Sequence, residues 1–269
     1  MDSSLFFGYF GALITGIVLG LIGGGGSILT VPILVYLLSI QAVTATAYSL
    51  FVVGSASFVG AARNLSKGLV NFESAIAFCV PAVIAVFSTR KFLVPAIPEV
   101  LWSSNNIILT KEMAIMVLFA LLMLAASFSM IFDSKKILSS NNNEGTNDIN
   151  YALLLVLGSL TGVITGLVGA GGGFIIIPIL VLIARMPMKK AVGTSLLIIA
   201  LNSLIGFLGD VSHTTIDWPF LLIFTTLAIV GIFVGMWLNK CIDGKKLKKG
   251  FGWFVLVMGL YIMYKELFI

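Results

Sequence analysis

The sequence predicts an all-α polytopic membrane protein made of two inverted repeats. Each repeat is a broken, re-entrant glycine-rich helix pair followed by three transmembrane helices, about eight spans by usual counting. Three observations carry this prediction. A glycine run inside an apolar segment occurs twice, 146 residues apart: Thr15 to Val35 and Thr161 to Val181 share 11 of 21 positions without a gap. Hydrophobic residues make up 59% of the chain and charged residues only 10%, whereas soluble domains run nearer 45–50% and 25%. Lys and Arg gather in loops that fall on one side only if each broken segment enters and leaves by the same face.

The elements follow in order. A broken segment covers 8–39, and helices are predicted near 43–62, 70–89 and 111–132. The stretch 90–110 holds Pro95, Pro98 and Trp102 and reads as an irregular interfacial segment, where a Trp is well placed. Asp133 to Asn150 is polar and of loop length. A second broken segment covers 150–184, followed by helices near 190–208, 218–238 and 250–268. The chain therefore divides into an N-terminal transmembrane repeat (1–132), a cytoplasmic linker (133–149) and a C-terminal transmembrane repeat (150–269). The repeat extends past the glycines: Ala45 matches Ala191, Ser49 matches Ser195, Ser57 matches Ser203, Gly60 matches Gly206, and Asn64 falls on Asp210.

Charge sets the expected orientation. With re-entrant pairs, the loops 63–69, 133–149, 185–190 and 239–250 share the cytoplasmic side and hold 12 of the 16 basic residues. Arg90, Lys91, Lys111 and Lys265 remain outside, together with the turn Asp210–Asp217 and both termini. If each broken segment crossed once, only four basic residues would stay inside, against the positive-inside tendency. Each half-helix is expected to have about 15 residues and to reach roughly 22 Å. The first ten residues lack a basic n-region, so the first apolar segment is expected to be retained. Cys79 and Cys241 form neither a disulfide framework nor a metal spacing.

A backbone break at membrane depth must be satisfied by protein or by a water-filled cavity. Gly23, Gly24, Gly25 and Gly26 form the first break; Gly169, Gly171, Gly172 and Gly173 form the second around Ala170. Helices restarting at Ser27 and Gly173 would present N–H groups with no intrahelical partner. Such a helix start, with its dipole, favours an anion without any side-chain charge. Inversion would bring both starts to one midplane cavity. No carboxylate lies in either broken segment, which disfavours a cation. The alternative for these glycines is close helix packing, and Gly16, Gly20, Gly162 and Gly166 fit that alternative better. Ser49, Thr194, Ser195 and Asn202 on the helices that follow offer hydroxyl and amide donors, as do Thr46, Ser57 and Ser203; satisfying the local backbone is their other use. Asn64 and Asp210 read as loop caps, His213 as a surface residue and Cys79 as small core filler. No nucleophile–base pair or metal cluster argues for an enzyme, and no cofactor, metal or nucleic acid is expected as partner. The expected partners are a small anionic solute and the lipid bilayer; the sequence does not indicate a homodimer.

The paired glycine motifs, each followed by Pro-Ile-Leu-Val (Pro32–Val35 and Pro178–Val181), together with Ala191-Val192-Gly193-Thr194-Ser195, resemble the TauE/SafE sulfite-exporter-like permeases over nearly the whole chain. That resemblance implies a cytoplasmic-membrane protein of a bacterium or archaeon that moves small sulfur-containing anions such as sulfite or organosulfonates, commonly outward. The chain departs from strict repetition at Ser27 against Gly173 and at Ala47 against Gly193, so the two breaks need not be equivalent. The expected function is a secondary transporter of such an anion. An anion channel, a carrier of another small anion, and a non-transporting membrane scaffold are the alternatives.

Overall fold

A computed structural model describes residues 3–24, 26–104, 107–132, 151–184, 186–238 and 244–268. Helix α1 (Ser3–Ile22) runs to the first glycine break, and α2 (Ser27–Pro32) restarts beyond it and widens into a π turn at Ile33–Leu37. Then come α3 (Ala42–Leu65) and α4 (Phe72–Ser88), a π turn at Thr89–Leu93, and the short α5 (Val94–Ala96). Strands β1 (Val100–Ser104) and β2 (Ile107–Thr110) precede α6 (Lys111–Phe132). After the linker, which lies outside the described residues, come α7 (Tyr151–Val168), α8 (Gly173–Leu182), α9 (Met188–Asp210), α10 (Trp218–Leu238) and α11 (Gly244–Phe268).

The helix directions follow from which residues touch. Gly16 lies against Ala228 and Gly20 against Ile232, so α1 and α10 are parallel. Gly158 meets Phe78, and Gly166 meets Thr89 just beyond α4, so α4 and α7 are parallel as well. Gly54 packs on Leu204 and Gly60 on Leu196, so α3 and α9 are antiparallel. Tyr48 sits by Phe220 and Gly60 by Ile232, which makes α3 parallel to α10 and hence to α1. Because α1 and α3 run the same way, the chain between them turns back to the face from which α1 set out. The two glycine-rich segments thus carry a long first limb and a shorter return limb, rather than two limbs of about 15 residues each: α1 has 20 residues and α7 has 18, while α2 has 6 and continues through the 5 residues of its π turn, and α8 has 10. At 1.5 Å per residue the first limbs reach roughly 30 and 27 Å.

Small residues set the closest approaches. A methyl group at Gly16, Gly20, Gly231 or Gly235 would overlap backbone of the facing helix in the α1/α10 pair, and one at Gly162 would overlap the Ala82 carbonyl in α4/α7. These glycines serve packing, as small-residue interfaces do in membranes. Helices α3 and α9 form the centre: 67% of an 18-residue apolar stretch in each is buried, against 33–39% for the other four apolar spans among the described residues. Those spans turn Phe6, Ile84, Leu121 and Val230 outward, as a lipid-facing perimeter requires. Near the α3 start, the Asp217 backbone N–H donates to the Tyr48 hydroxyl at 2.7 Å, and Phe51, Phe207 and Trp218 meet in tilted and edge-to-face contacts.

The stretch 90–110 is more regular than expected. A π turn and α5 prolong α4, and an antiparallel hairpin follows, pairing Val100 with Thr110 and Ser104 with Ile107. The run Ile107-Ile108-Leu109-Thr110 has the β-branched character that suits a strand, and the exposed Trp102 sits on its partner. The π turn has a local cause. Pro95 lacks an N–H, and its ring would press on the Lys91 carbonyl in a regular helix. Widening the preceding turn relieves that contact and re-phases its side chains, Arg90 among them.

Candidate functional site

The two breaks meet near the middle of the molecule. A Cβ placed on Gly24 would lie 2.9 Å from the Cα of Gly173, so the two backbones touch. Gly171 faces Val53, Ile199 and Ser203, residues near the midpoints of α3 and α9. Gly23 abuts Val192, and Gly169 abuts Thr46, its counterpart 146 residues earlier. Gly26 packs on Thr15 and Leu19; Gly172 packs on Thr161 and Thr165, the matching positions. Positive φ at Gly23 (80°), Gly169 (71°), Gly171 (64°) and Gly172 (74°) explains why glycine stands there. Gly25 lies outside the described residues.

The helix starts are bare. Neither Gly26 before α2 nor Gly172 before α8 provides a side-chain cap. Leu29 N donates to Gly26 O at 3.1 Å, and Ile175 N and Ile176 N donate to Gly172 O at 2.9 and 3.0 Å, leaving the earlier N–H groups directed at the break. The Ser27 hydroxyl donates to Gly24 O at 2.8 Å, closing the first break on itself. Gly173 has no such group, so the second break is held differently.

The expected side chains divide into two sets. Ser49 is fully buried and its hydroxyl has no hydrogen-bond partner among the described residues; it shares a helix face with Thr46 and Val53, both at the second break. Ser195 donates to Val192 O at 2.9 Å and lies 3.4 Å from Gly23 O, so it touches the first break. Asn202 is buried with its Nδ2 unpartnered among the described residues, and Cys79 Sγ approaches its Oδ1 at 3.9 Å. Thr194 belongs elsewhere: its hydroxyl accepts the Asn71 N–H at 3.0 Å and ties α9 to the start of α4. Asn64 bonds its own helix at Gly60 O, and His213 is exposed, as expected.

Ser203, another of the expected hydroxyls, is fully buried, without a hydrogen-bond partner among the described residues and pressed against Gly171. Two features escaped the sequence reading. Asp210 is buried, not part of an exposed acidic turn, and pairs with Arg90 at 3.2 Å. Arg90 itself, counted among the outside loop charges, is 1% exposed and donates from Nη1 to the Thr46 hydroxyl at 3.0 Å. The helix was expected to end at 89, which put Arg90 just beyond it; the π turn and α5 carry the apolar span to Ala96 and take the charge inside. An arginine within a 25-residue apolar stretch is itself a functional signal. Away from the breaks, a recess of about 290 Å³ is lined by Tyr36, Gln41, Glu112 and Lys265, with the Tyr36 hydroxyl donating to Glu266 at 2.7 Å.

Comparisons with known proteins agree with this architecture. A "Probable membrane transporter protein" of Xylella fastidiosa (strain 9a5c) is 28% identical over 256 residues, covering 94% of this chain and 92% of that protein. Its counterpart in strain Temecula1 is 28% identical over 259 residues with the same coverage. The "Probable membrane transporter protein YunE" of Bacillus subtilis is 29% identical over 124 residues, 44% of this chain and 45% of that protein. No solved structure matches the chain. Residues 9–262 match the family described as "Sulfite exporter TauE/SafE", so this multi-pass membrane protein belongs to the TauE/SafE family.

Proposed function

We propose that the chain is a secondary transporter that exports a small sulfur-containing anion, sulfite or an organosulfonate, across the cytoplasmic membrane of a prokaryote. The family and the names of its relatives support a membrane transporter rather than an enzyme. The observation that carries the finer reading is the meeting of Gly24 and Gly173 at the starts of two uncapped helices, beside the unpartnered hydroxyls of Ser49 and Ser203. Backbone N–H groups and neutral hydroxyls suit an anion that must bind and leave again.

Residues 1–132 and 150–269 act as two repeats of opposite orientation. The antiparallel course of α3 and α9 and the exchange of partners between α1/α10 and α4/α7 support that division. The residues flanking the basic loops, Leu65, Met188 and Leu238, fall at one end of the bundle; that end is the cytoplasmic one. Transport proceeds by alternating exposure of the midplane site as one set of helices moves against the other. Purified protein in proteoliposomes should take up sulfite in preference to chloride and acetate, with saturation and counterflow. Selective flux without saturation would favour a channel, and no selective flux from folded protein would overturn the reading.

A further inference from the structure

Arg90 carries more hydrogen-bonding capacity than the protein uses. Its Nη1 serves both Thr46, at 3.0 Å, and Asp210. Its Nε and Nη2 are buried and without a partner among the described residues. A fully buried guanidinium with idle donors is costly and calls for an explanation. The idle pair is also a specific shape. Nε and Nη2 present two parallel N–H groups along one edge, the fork that meets two oxygens of a single acid group.

The position of the fork ties it to the breaks. Thr46, which holds Nη1, lies directly against Gly169 and donates its own proton to Val43 O at 2.7 Å. The guanidinium is therefore one side chain removed from the second glycine break. The other half has no equivalent: 146 residues along or back, Arg90 corresponds to Met236, Asp210 to Asn64 and Thr46 to Val192. The charge is a feature of one break only.

Resting on the reading of the breaks as an anion site, we propose that Arg90 binds the substrate directly and selects oxyanions, with two substrate oxygens on its Nε–Nη2 edge and Asp210 and Thr46 holding the guanidinium in place from the opposite side. The ligand class is a small oxyanion of sulfur with at least two oxygens on one centre, such as sulfite or a sulfonate; a halide offers nothing for the second donor.

Two variants test this in proteoliposomes. Arg90→Lys keeps the charge and loses the fork. The half-saturation concentration for sulfite should rise roughly tenfold or more, while inhibition of sulfite uptake by chloride changes little. Arg90→Gln with Asp210→Asn removes both charges, so neither is left buried and alone. This double variant should keep the thermal stability of the wild type and lose saturable sulfite uptake. Wild-type half-saturation for sulfite in R90K would overturn the proposal and make the ion pair structural; the same value in a folded double variant would do so too. If the double variant does not fold, R90K decides alone. Absence of selective anion flux in the wild type would overturn the anion-site reading itself, and this proposal with it.

Discussion

A hydroxyl buried without a partner is a liability to folding, and among the described residues Ser49 and Ser203 are such hydroxyls beside the second break. Replacing either by Ala removes a desolvated polar group and leaves nothing orphaned, so unfolding stability should stay within about 1 kcal/mol of the wild type or rise. If these hydroxyls meet the anion, the same changes should weaken sulfite half-saturation by roughly two- to tenfold each. Thermal melts and flux measured on one preparation separate the two effects; equal losses in both would make the serines structural. Glycines offer a second residue-scale test. Gly171 and Gly68 have nearly the same φ, 64° and 65°, but Gly68 has open space around it, whereas Gly171 faces Ser203. Gly68→Ala should therefore cost only the left-handed backbone penalty, about 1–2 kcal/mol, with flux retained. Gly171→Ala should cost about 1–3 kcal/mol more through overpacking and should abolish flux. Similar melting temperatures for the two variants would refute that difference.

At the scale of elements, the sequence announces the helices because long apolar runs bounded by polar turns leave few options in a bilayer. It also marks where they break, because glycine adopts the positive φ found at Gly169, Gly171 and Gly172 at the least steric cost. Limb lengths are less legible. The glycines say where a helix stops, but how far α1 runs beyond mid-height depends on its contact with α10, over 200 residues away in the chain. The fate of Arg90 was hidden because a proline at 95 is compatible both with a helix end and with a widened turn that continues, and that choice puts the charge outside or inside. Thr194 shows a different limit: it has the right type and spacing, but the sequence does not say that its hydroxyl oxygen accepts from the start of α4. The α1/α10 contact gives this scale its own prediction. Gly235→Val, which drives a side chain into the Ile17 carbonyl, should destabilise by about 3 kcal/mol or more, whereas Gly250→Val, with nothing near it, should be close to neutral. Thermal unfolding in detergent distinguishes them.

For the whole molecule, the broadest contacts join one half of the chain to the other: α1 with α10, α4 with α7, α3 with α9, and α6 with α11. If the end carrying the basic loops is cytoplasmic, a single cysteine replacing Gly68, in a chain freed of Cys79 and Cys241, should react with an impermeant thiol reagent only after the inner face is opened. One replacing Ser212 should react in intact cells. The reverse pattern would invert the assignment. The cross-partnering also governs how such a chain can be made. A ribosome delivers α1 long before α10 exists, so the first glycine-interrupted arm must wait, half-clad, for a mate that has yet to be synthesised, whereas α7 emerges to find α4 already made. Neither fragment should persist alone in cells, yet the two, encoded separately with the cut between Phe132 and Tyr151, should find each other in the membrane and restore flux.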